Sequence, residues 1–363
     1  MWTIVLIAVV LLMAGSLVYI GSRMRCFPLL AEFSEKNAFA KWAVRLLPTA
    51  VFAVFAVFDF VNSVIILIHL AVFWAVADLA VRLFRGKKDG KANGYPAAWI
   101  AIVACILYFV AGWFCAHHVS RKDYTLETEK SLGQDTFRVA MIADSHIGST
   151  FDGEGFAEYL KEIEEAKPDV LVVVGDFVDD STTREDMLRA TKAFSEFHAP
   201  YGVYYVYGNH DKGYYNSRGF TAEELARALT DNGVTILEDE SVMLGSICLI
   251  GRKDRSDRGR TDIAKLLAGI NPEVYTIVLD HQPNDYEAEA EAGPDLVLSG
   301  HTHGGQMIPI GLIGRLSGAD DRSYGTERRK NTTFLVTSGI SCWALDFKTG
   351  TKSEYVIIDL KSR

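Results

Sequence analysis

The sequence lacks the marks of several common protein classes. Its five cysteines, Cys26, Cys105, Cys115, Cys248 and Cys342, are widely spaced and odd in number, which suggests neither a disulfide framework nor a C-x-x-C zinc site. It has no excess of basic charge: 37 Lys and Arg stand against 46 Asp and Glu, a formal net charge of -9. A general nucleic-acid binder draws affinity from clustered Lys and Arg, so no nucleic-acid partner is expected. There is no internal repeat and no low-complexity segment. Met1 to Val5 carries no basic side chain, whereas a cleaved signal peptide would have a basic n-region.

Hydrophobic residues are unevenly placed. The first 118 residues are far more apolar than the rest. Trp2 to Ile20 is an unbroken apolar run of the length that crosses a bilayer core of roughly 30 Å, and is expected to be a retained span. Arg23 to Arg45 is mixed and amphipathic, carrying Arg23, Arg25, Lys36, Lys41 and Arg45. Leu46 to Phe84 is almost continuously apolar. At about 1.5 Å per residue it is too long for one crossing, so Asp59 and Asn62 mark the expected turn of a helical hairpin. A basic cluster follows, Arg82, Arg85, Lys87, Lys88 and Lys91, and then a clean span, Ala97 to Ala116, bracketed by Trp99 and Trp113 in the manner of interfacial anchors.

Four spans place both ends of this region on one side. Its basic residues fall in the first and third loops, so the positive-inside rule puts those loops in the cytoplasm and the remainder of the chain outside it; a re-entrant hairpin, leaving three spans, would reverse the side. The expectation is a multi-pass protein of the cell membrane, contacting membrane lipids through residues 1–118, with an extracytoplasmic soluble domain. His69 and Asp78, within the third span, are expected to be structural or interfacial.

From Arg121 the pattern changes to short apolar runs alternating with helical segments, the signature of an α/β domain. Residues 119–136 read as a linker with a first strand, Tyr124 to Glu127, and 137–363 as the domain proper. Expected strands are Phe137 to Ala143, Asp169 to Val174, Gly202 to Tyr207, Ile247 to Ile250, Val274 to Leu279, Leu296 to Leu298, Thr333 to Thr337 and Glu354 to Leu360. Expected helices are Glu154 to Lys167, Thr183 to Phe197 and Ala222 to Asn232.

The chemistry-bearing residues sit at the ends of these strands. Asp144-Ser145-His146 follows the first of them, Gly175-Asp176-Phe177-Val178-Asp179 the second, and Gly208-Asn209-His210-Asp211 the third; Asp280-His281 follows Val274 to Leu279, and Gly300-His301-Thr302-His303-Gly304-Gly305-Gln306 follows Leu298. Side chains at i and i+2 of an extended segment point to one side, so Asp144 with His146, and His301 with His303, offer paired donors. Ligands just beyond the carboxyl ends of successive strands converge on one crevice. Taken singly, each element has a bland reading as a helix cap, a turn or a surface histidine; the joint order does not. His117, His118 and His198 fit no element and read as surface or interfacial residues.

This series resembles the calcineurin-like metallophosphoesterase superfamily, whose pattern is D-x-H, G-D-x-x-D, G-N-H-D/E, a lone His and G-H-x-H, over about Phe137 to Leu360. The G-H-T-H-G-G-Q variant with amino-terminal spans is most similar to the membrane-associated branch that includes YkuE- and YaeI-like phosphoesterases and transmembrane proteins carrying a metallophosphoesterase domain. The resemblance implies a four-layer α-β-β-α sandwich with a site for two divalent metal ions. It assigns Asp144, His146 and His303 to one ion, Asn209, His281 and His301 to the other, and Asp176 as the bridging carboxylate. It also implies that His210 faces the scissile phosphate, with Asp211 beside it in the catalytic element and Asp179 in support. One departure stands out: after Ser338-Gly339-Ile340 the branch commonly continues with an Arg- and Pro-containing loop, where this chain has Ser341-Cys342-Trp343-Ala344-Leu345-Asp346.

Elementary chemistry agrees with that implication. A pair of divalent ions sharing a carboxylate can acidify water and hold phosphate oxygens for in-line displacement. Mixed N and O donors without thiolate suit Mn, Fe, Zn or Mg and do not choose among them. Asp211 is expected to orient a neighbouring imidazole, as carboxylates near metal sites commonly do. Gly251-Arg252-Lys253-Asp254-Arg255 either adds positive charge where a phosphate binds or is a solvated basic loop. Tyr214 and Tyr215 either line the cleft or cover the sheet. The expected function is a membrane-anchored phosphohydrolase acting on phosphoesters, most of all phosphodiesters of a lipid-like or cell-envelope substrate. The alternatives are a phosphomonoesterase or phosphoprotein phosphatase, and a non-catalytic scaffold of the same fold.

Overall fold

The computed structural model describes residues 2–85, 96–214 and 218–363. Of the residues singled out above, Lys87, Lys88, Lys91 and Tyr215 lie outside the described residues. The chain divides into two compact units, Met1–Ala111 and Gly112–Arg363.

The first unit contains α1 (Trp2–Arg23), α2 (Pro28–Glu35), α3 (Ala38–Phe58), α4 (Phe60–Arg85) and most of α5 (Pro96–His117). Among the described residues four stretches are long and apolar enough to cross a membrane: Leu6–Cys26, Ala38–Phe58, Phe60–Phe84 and Pro96–His117. The long apolar run breaks at Asp59, whose carboxylate accepts the backbone N–H of Asn62 at 3.0 Å and its side-chain N–H at 2.6 Å, capping the next helix. Asp78 is tied to Arg23 at 2.9 Å and to the Tyr19 hydroxyl at 2.8 Å. His69 Nδ1 lies 2.8 Å from the Ile65 carbonyl, and its ring stacks 5.3 Å from that of Tyr108. Both polar groups are therefore engaged within the helices.

In the second unit, β1 (Ser120–Thr128), β2 (Thr136–Ile142), β3 (Val170–Val174), β4 (Val203–Val206), β5 (Val234–Ile236) and β12 (Glu354–Ser362) form one sheet, ordered β1-β12-β2-β3-β4-β5. The other comprises β6 (Glu240–Leu244), β7 (Ile247–Gly251), β8 (Tyr275–Leu279), β9 (Leu296–Ser299), β10 (Gly325–Arg329) and β11 (Thr332–Val336), ordered β10-β11-β9-β8-β7-β6. The helices are α6 (Gly153–Glu165), α7 (Arg184–Phe194), α8 (Ala222–Asp231), α9 (Ile263–Leu267), α10 (Tyr286–Ala292) and α11 (Ile310–Ser317).

Period-two alternation builds the layers. On β2, Phe137, Val139 and Met141 join Ile277 and Leu279 of β8 in a core between the sheets. Ala140 and Ile142 face the other way, into a core with Phe156 and Leu160 of α6 and Met187 of α7. On the far side Val278 of β8 packs with Ile263, Tyr286 and Ala290 of α9 and α10. The result is helices, sheet, sheet, helices, the four-layer sandwich expected. Strand β1, which the sequence pattern set in a linking stretch, is an edge strand of the first sheet and pairs in parallel with β12 from Ser120 to Thr128.

Candidate metal centre

Strands β2, β3 and β4 run parallel, as do β8 and β9, so the loops after them share an edge. There the backbone takes conformations that L-residues rarely adopt: φ is +54° at Asp144, +36° at His146, +52° at Asp176, +68° at His301 and +49° at His303. Such conformations cost on the order of 1–3 kcal/mol each and persist where surrounding structure enforces them. Glycine provides the close approaches. A side-chain carbon on Gly300 would stand 2.7 Å from Oδ2 of Asp144, and one on Gly175, where φ is +77°, would collide with the His281 ring.

These turns bring two donor groups together. Asp144, His146 and His303 form one, Asp176, His281 and His301 the other; within each group the candidate donor atoms lie within 4.8 Å of one another. Oδ2 of Asp176 lies 3.0 Å from Nε2 of His281 and 3.8 Å from Nε2 of His146, between the groups. Nε2 of His146 and Oδ1 of Asn209 are buried without a hydrogen-bond partner, while Asn209 gives its N–H to the Tyr214 hydroxyl at 2.7 Å. Buried acceptors left open at a point where carboxylates and imidazoles converge are what a cation would satisfy, and the N and O donors fit a borderline or hard divalent ion.

The histidines are aimed from behind. His281 Nδ1 is 2.8 Å from the Val174 carbonyl and His303 Nδ1 is 3.2 Å from that of Ser341, so each directs its other nitrogen into the pocket. His146 Nδ1 lies 3.4 Å from Oδ2 of Asp179. The backbone N–H of His301 donates to Asp144 at 2.8 Å.

Electrostatics separates neighbouring groups of one chemical type. Burial raises the Asp144 carboxyl to about 6. Asp176 is also buried, but the charge and hydrogen bond of His281 outweigh burial and hold it well below the usual carboxylate range. Asp179 falls to about 2 despite burial, through hydrogen bonds from His146 and Ser181. Burial and then the charge of His281 lower His301 to about 4, and burial with His146 takes His303 well below its ordinary value. Two of the imidazoles thus keep free lone pairs at neutral pH, as metal ligands require.

Comparison with known proteins agrees with this geometry. The family description "Calcineurin-like phosphoesterase" matches residues 137–305. An uncharacterized metallophosphoesterase of Aquifex aeolicus is 31% identical over 248 residues, covering 66% of this chain and 91% of the relative. The chain belongs to the calcineurin-like phosphoesterase family. A Campylobacter jejuni metallophosphoesterase is 29% identical over 231 residues, 62% of this chain, and the match spans 59% of that relative's length. A zebrafish (Danio rerio) protein named "Transmembrane protein with metallophosphoesterase domain" is 26% identical over 319 residues, 82% of this chain and 71% of its own.

In this calcineurin-like phosphoesterase, several residues stand elsewhere than their types suggested. Asp211 touches no imidazole. Its oxygens accept four backbone N–H groups, from Asp176 at 2.9 Å, Phe177 at 2.8 Å, Val178 at 3.1 Å and Gly208 at 2.7 Å. Arg252 is not a surface cation awaiting phosphate: one guanidinium nitrogen lies 2.9 Å from each of Asp280, Asp285 and Glu289, and Arg260 also pairs with Asp280. His210, which the resemblance sets apart from the ligands, has its ring 5.2 Å from that of His146, 4.9 Å from Tyr214 and 4.9 Å from Trp343.

Two contributors escaped sequence reasoning. Trp343 lies in the divergent loop, where only its departure from the branch was a signal. Lys348 is fully buried behind that loop, donating to the carbonyls of Ser338 at 2.6 Å and Gly339 at 3.2 Å; nothing in its sequence context marks it.

Proposed function

We propose that the chain is a membrane-associated phosphohydrolase that binds two divalent metal ions and cleaves phosphoester bonds by attack of water on phosphorus. The observation that carries this reading is the placement of Asp176, whose Oδ2 faces His146 of one donor group and His281 of the other, as a shared carboxylate would. Asp144, His146 and His303 would hold one ion, Asn209, His281 and His301 the other. Bound there, Mn, Fe, Zn or Mg would supply Lewis-acid charge that acidifies water and neutralises phosphoryl oxygens.

The chain's own residues shape the rest. Asp176 Oδ1 accepts the backbone N–H of His210 at 2.8 Å, fixing that imidazole at the side of the pocket where Tyr214 and Trp343 stand. From there a ring N–H donates to a phosphoryl oxygen or to the leaving oxygen. Asp211 locks the two loops that carry Asp176 and Asn209, and Asp179 steadies His146. A scaffold without activity would be expected to lose a ligand or His210, and every motif residue is present.

Location favours a phosphodiester of a lipid-like or cell-envelope molecule over a free phosphomonoester or a phosphoprotein. The basic residues of the first and third loops support an extracytoplasmic site. The test is the full chain in nanodiscs, loaded with each metal and offered an aryl phosphodiester, an aryl monoester and a lipid-linked pyrophosphate. His210→Ala should keep its metal by elemental analysis and lose most turnover; Asp176→Ala should lose metal too. Undiminished hydrolysis in both variants would end this reading.

A further inference from the structure

Helix α11 is amphipathic in the reverse sense to a helix on a water-soluble domain. Its inward positions are glycines: a side-chain carbon on Gly311 would stand 3.0 Å from the Cα of Gly305, and one on Gly314 would stand 2.7 Å from Oδ2 of Asp320. Its large apolar residues point away, with Leu312 59%, Ile313 57% and Leu316 79% exposed, and Ile308 just before it 60% exposed. A helix whose backbone rests on the metal-site loop while its Leu and Ile face outward gains nothing from that surface in water.

The same unit indicates what covers it. The segment 347–353 is bonded on one side to the end of α5: Lys348 N–H donates to the Gly112 carbonyl at 2.9 Å and Ser353 N–H to that of Cys115 at 2.9 Å. On the other side the Ile308 N–H donates to the Thr349 hydroxyl at 3.1 Å, and Ile308 lies against Gly350. Helix α5 has 22 residues, just the length of a bilayer core, and Gly112 is ~8 Å from its end at 1.5 Å per residue. Ile308, two residues before α11, is therefore bonded to the level at which a membrane-crossing helix leaves the hydrocarbon. Interfacial helices with outward Leu and Ile and a basic residue, here Arg315, bind at that level.

We propose that α11 docks into the surface of the bilayer that α5 crosses, and that the metal centre, whose His303 lies seven residues before α11, takes phosphoesters borne on lipids in that surface. The substrate half rests on the phosphohydrolase reading above; the docking half does not. Gln306 links the two, since its side chain donates to the carbonyls of Trp343 at 3.0 Å and Leu345 at 2.8 Å, joining the α11 approach to the loop beside His210.

The full chain in phosphatidylcholine and phosphatidylglycerol nanodiscs is the test. A photoreactive benzoylphenylalanine replacing Leu316, or Ile313 in a second variant, should form lipid adducts several-fold more abundantly than one replacing Leu188 on α7. Adducts to a second copy of the chain in place of lipid, no adduct, or equal yield at Leu188 would overturn the docking. Leu312→Ser/Leu316→Ser should lower the rate on a lipid-borne phosphodiester, relative to a soluble aryl phosphodiester, roughly tenfold; an unchanged ratio would overturn the substrate assignment. Absence of hydrolysis on either substrate by the metal-loaded wild type would count against the phosphohydrolase reading, while the adducts still decide the docking.

Discussion

Asp211 accepts the backbone N–H of Asp176 at 2.9 Å, reaching across 35 residues of sequence. With its other three bonds it ties the two loops into one rigid turn. Replacing it with Ala strands four buried donors, and at about 1–3 kcal/mol for a buried polar group left unpaired the metal-free protein should lose on the order of 3–5 kcal/mol of stability. Chemical denaturation of metal-free Asp211→Ala and wild type measures this. Equal midpoints would show that the carboxylate does not hold the loops.

Chelation of divalent ions should abolish hydrolysis and lower the unfolding temperature, because an ion that binds only the folded chain at 100 times its dissociation constant adds about 2.7 kcal/mol. Adding back Mn, Fe, Zn and Mg singly, with calorimetry and rate followed together, should restore both with the same ion. Full activity in the chelated protein would exclude the centre as the seat of chemistry.

Arg252→Leu distinguishes two roles. As the buried partner of Asp280, Asp285 and Glu289, its loss leaves Glu289 without that cation and Asp280 with Arg260 alone, and should cost on the order of 3 kcal/mol. A phosphate-binding residue would instead raise KM at unchanged stability. The paired measurement of melting temperature and KM decides.

Lys348 gives a pH signature. Burial brings its ammonium down to about 8 against the opposing charges of Cys342, Asp144 and Glu354. The folded pKa lies below the unfolded one, so between about pH 8 and 10.5 the unfolded chain holds more protons, and stability contributed by this group rises with pH across that window. Wild type should therefore gain on Lys348→Met by about 3 kcal/mol between those limits. A constant difference, in parallel denaturation curves at pH 7 and pH 10, would place the lysine in water.

The candidate site was legible as a cluster because its residues are few, polar and set at the ends of apolar runs, where Asp144, Asp176 and His281 have little structural excuse. The buried strands read clearly for the same reason: β3 is five valines and leucines bounded by Asp169 and Gly175. Strand β5, Val-Thr-Ile, alternates over only three residues, too short a run to read, and β10, Gly-Thr-Glu-Arg-Arg, carries no apolar pattern; both are set by pairing with neighbours. Helix α11 hid because glycines occupy its inward positions. Asp211 read as a partner for histidine because a sequence displays its carboxylate and not the amides around it.

Each donor group draws on both sheets: Asp144 and His146 follow β2 while His303 follows β9, and Asp176 follows β3 while His281 and His301 follow β8 and β9. If the two groups hold ions as proposed, a chain ending before His301 would lack a ligand for each, since His301 and His303 are the last of the set in the sequence. On that reading metal uptake would be a closing event, a rivet driven once the halves have met, and the metal content of a purified sample would double as a gauge of how many molecules have finished folding.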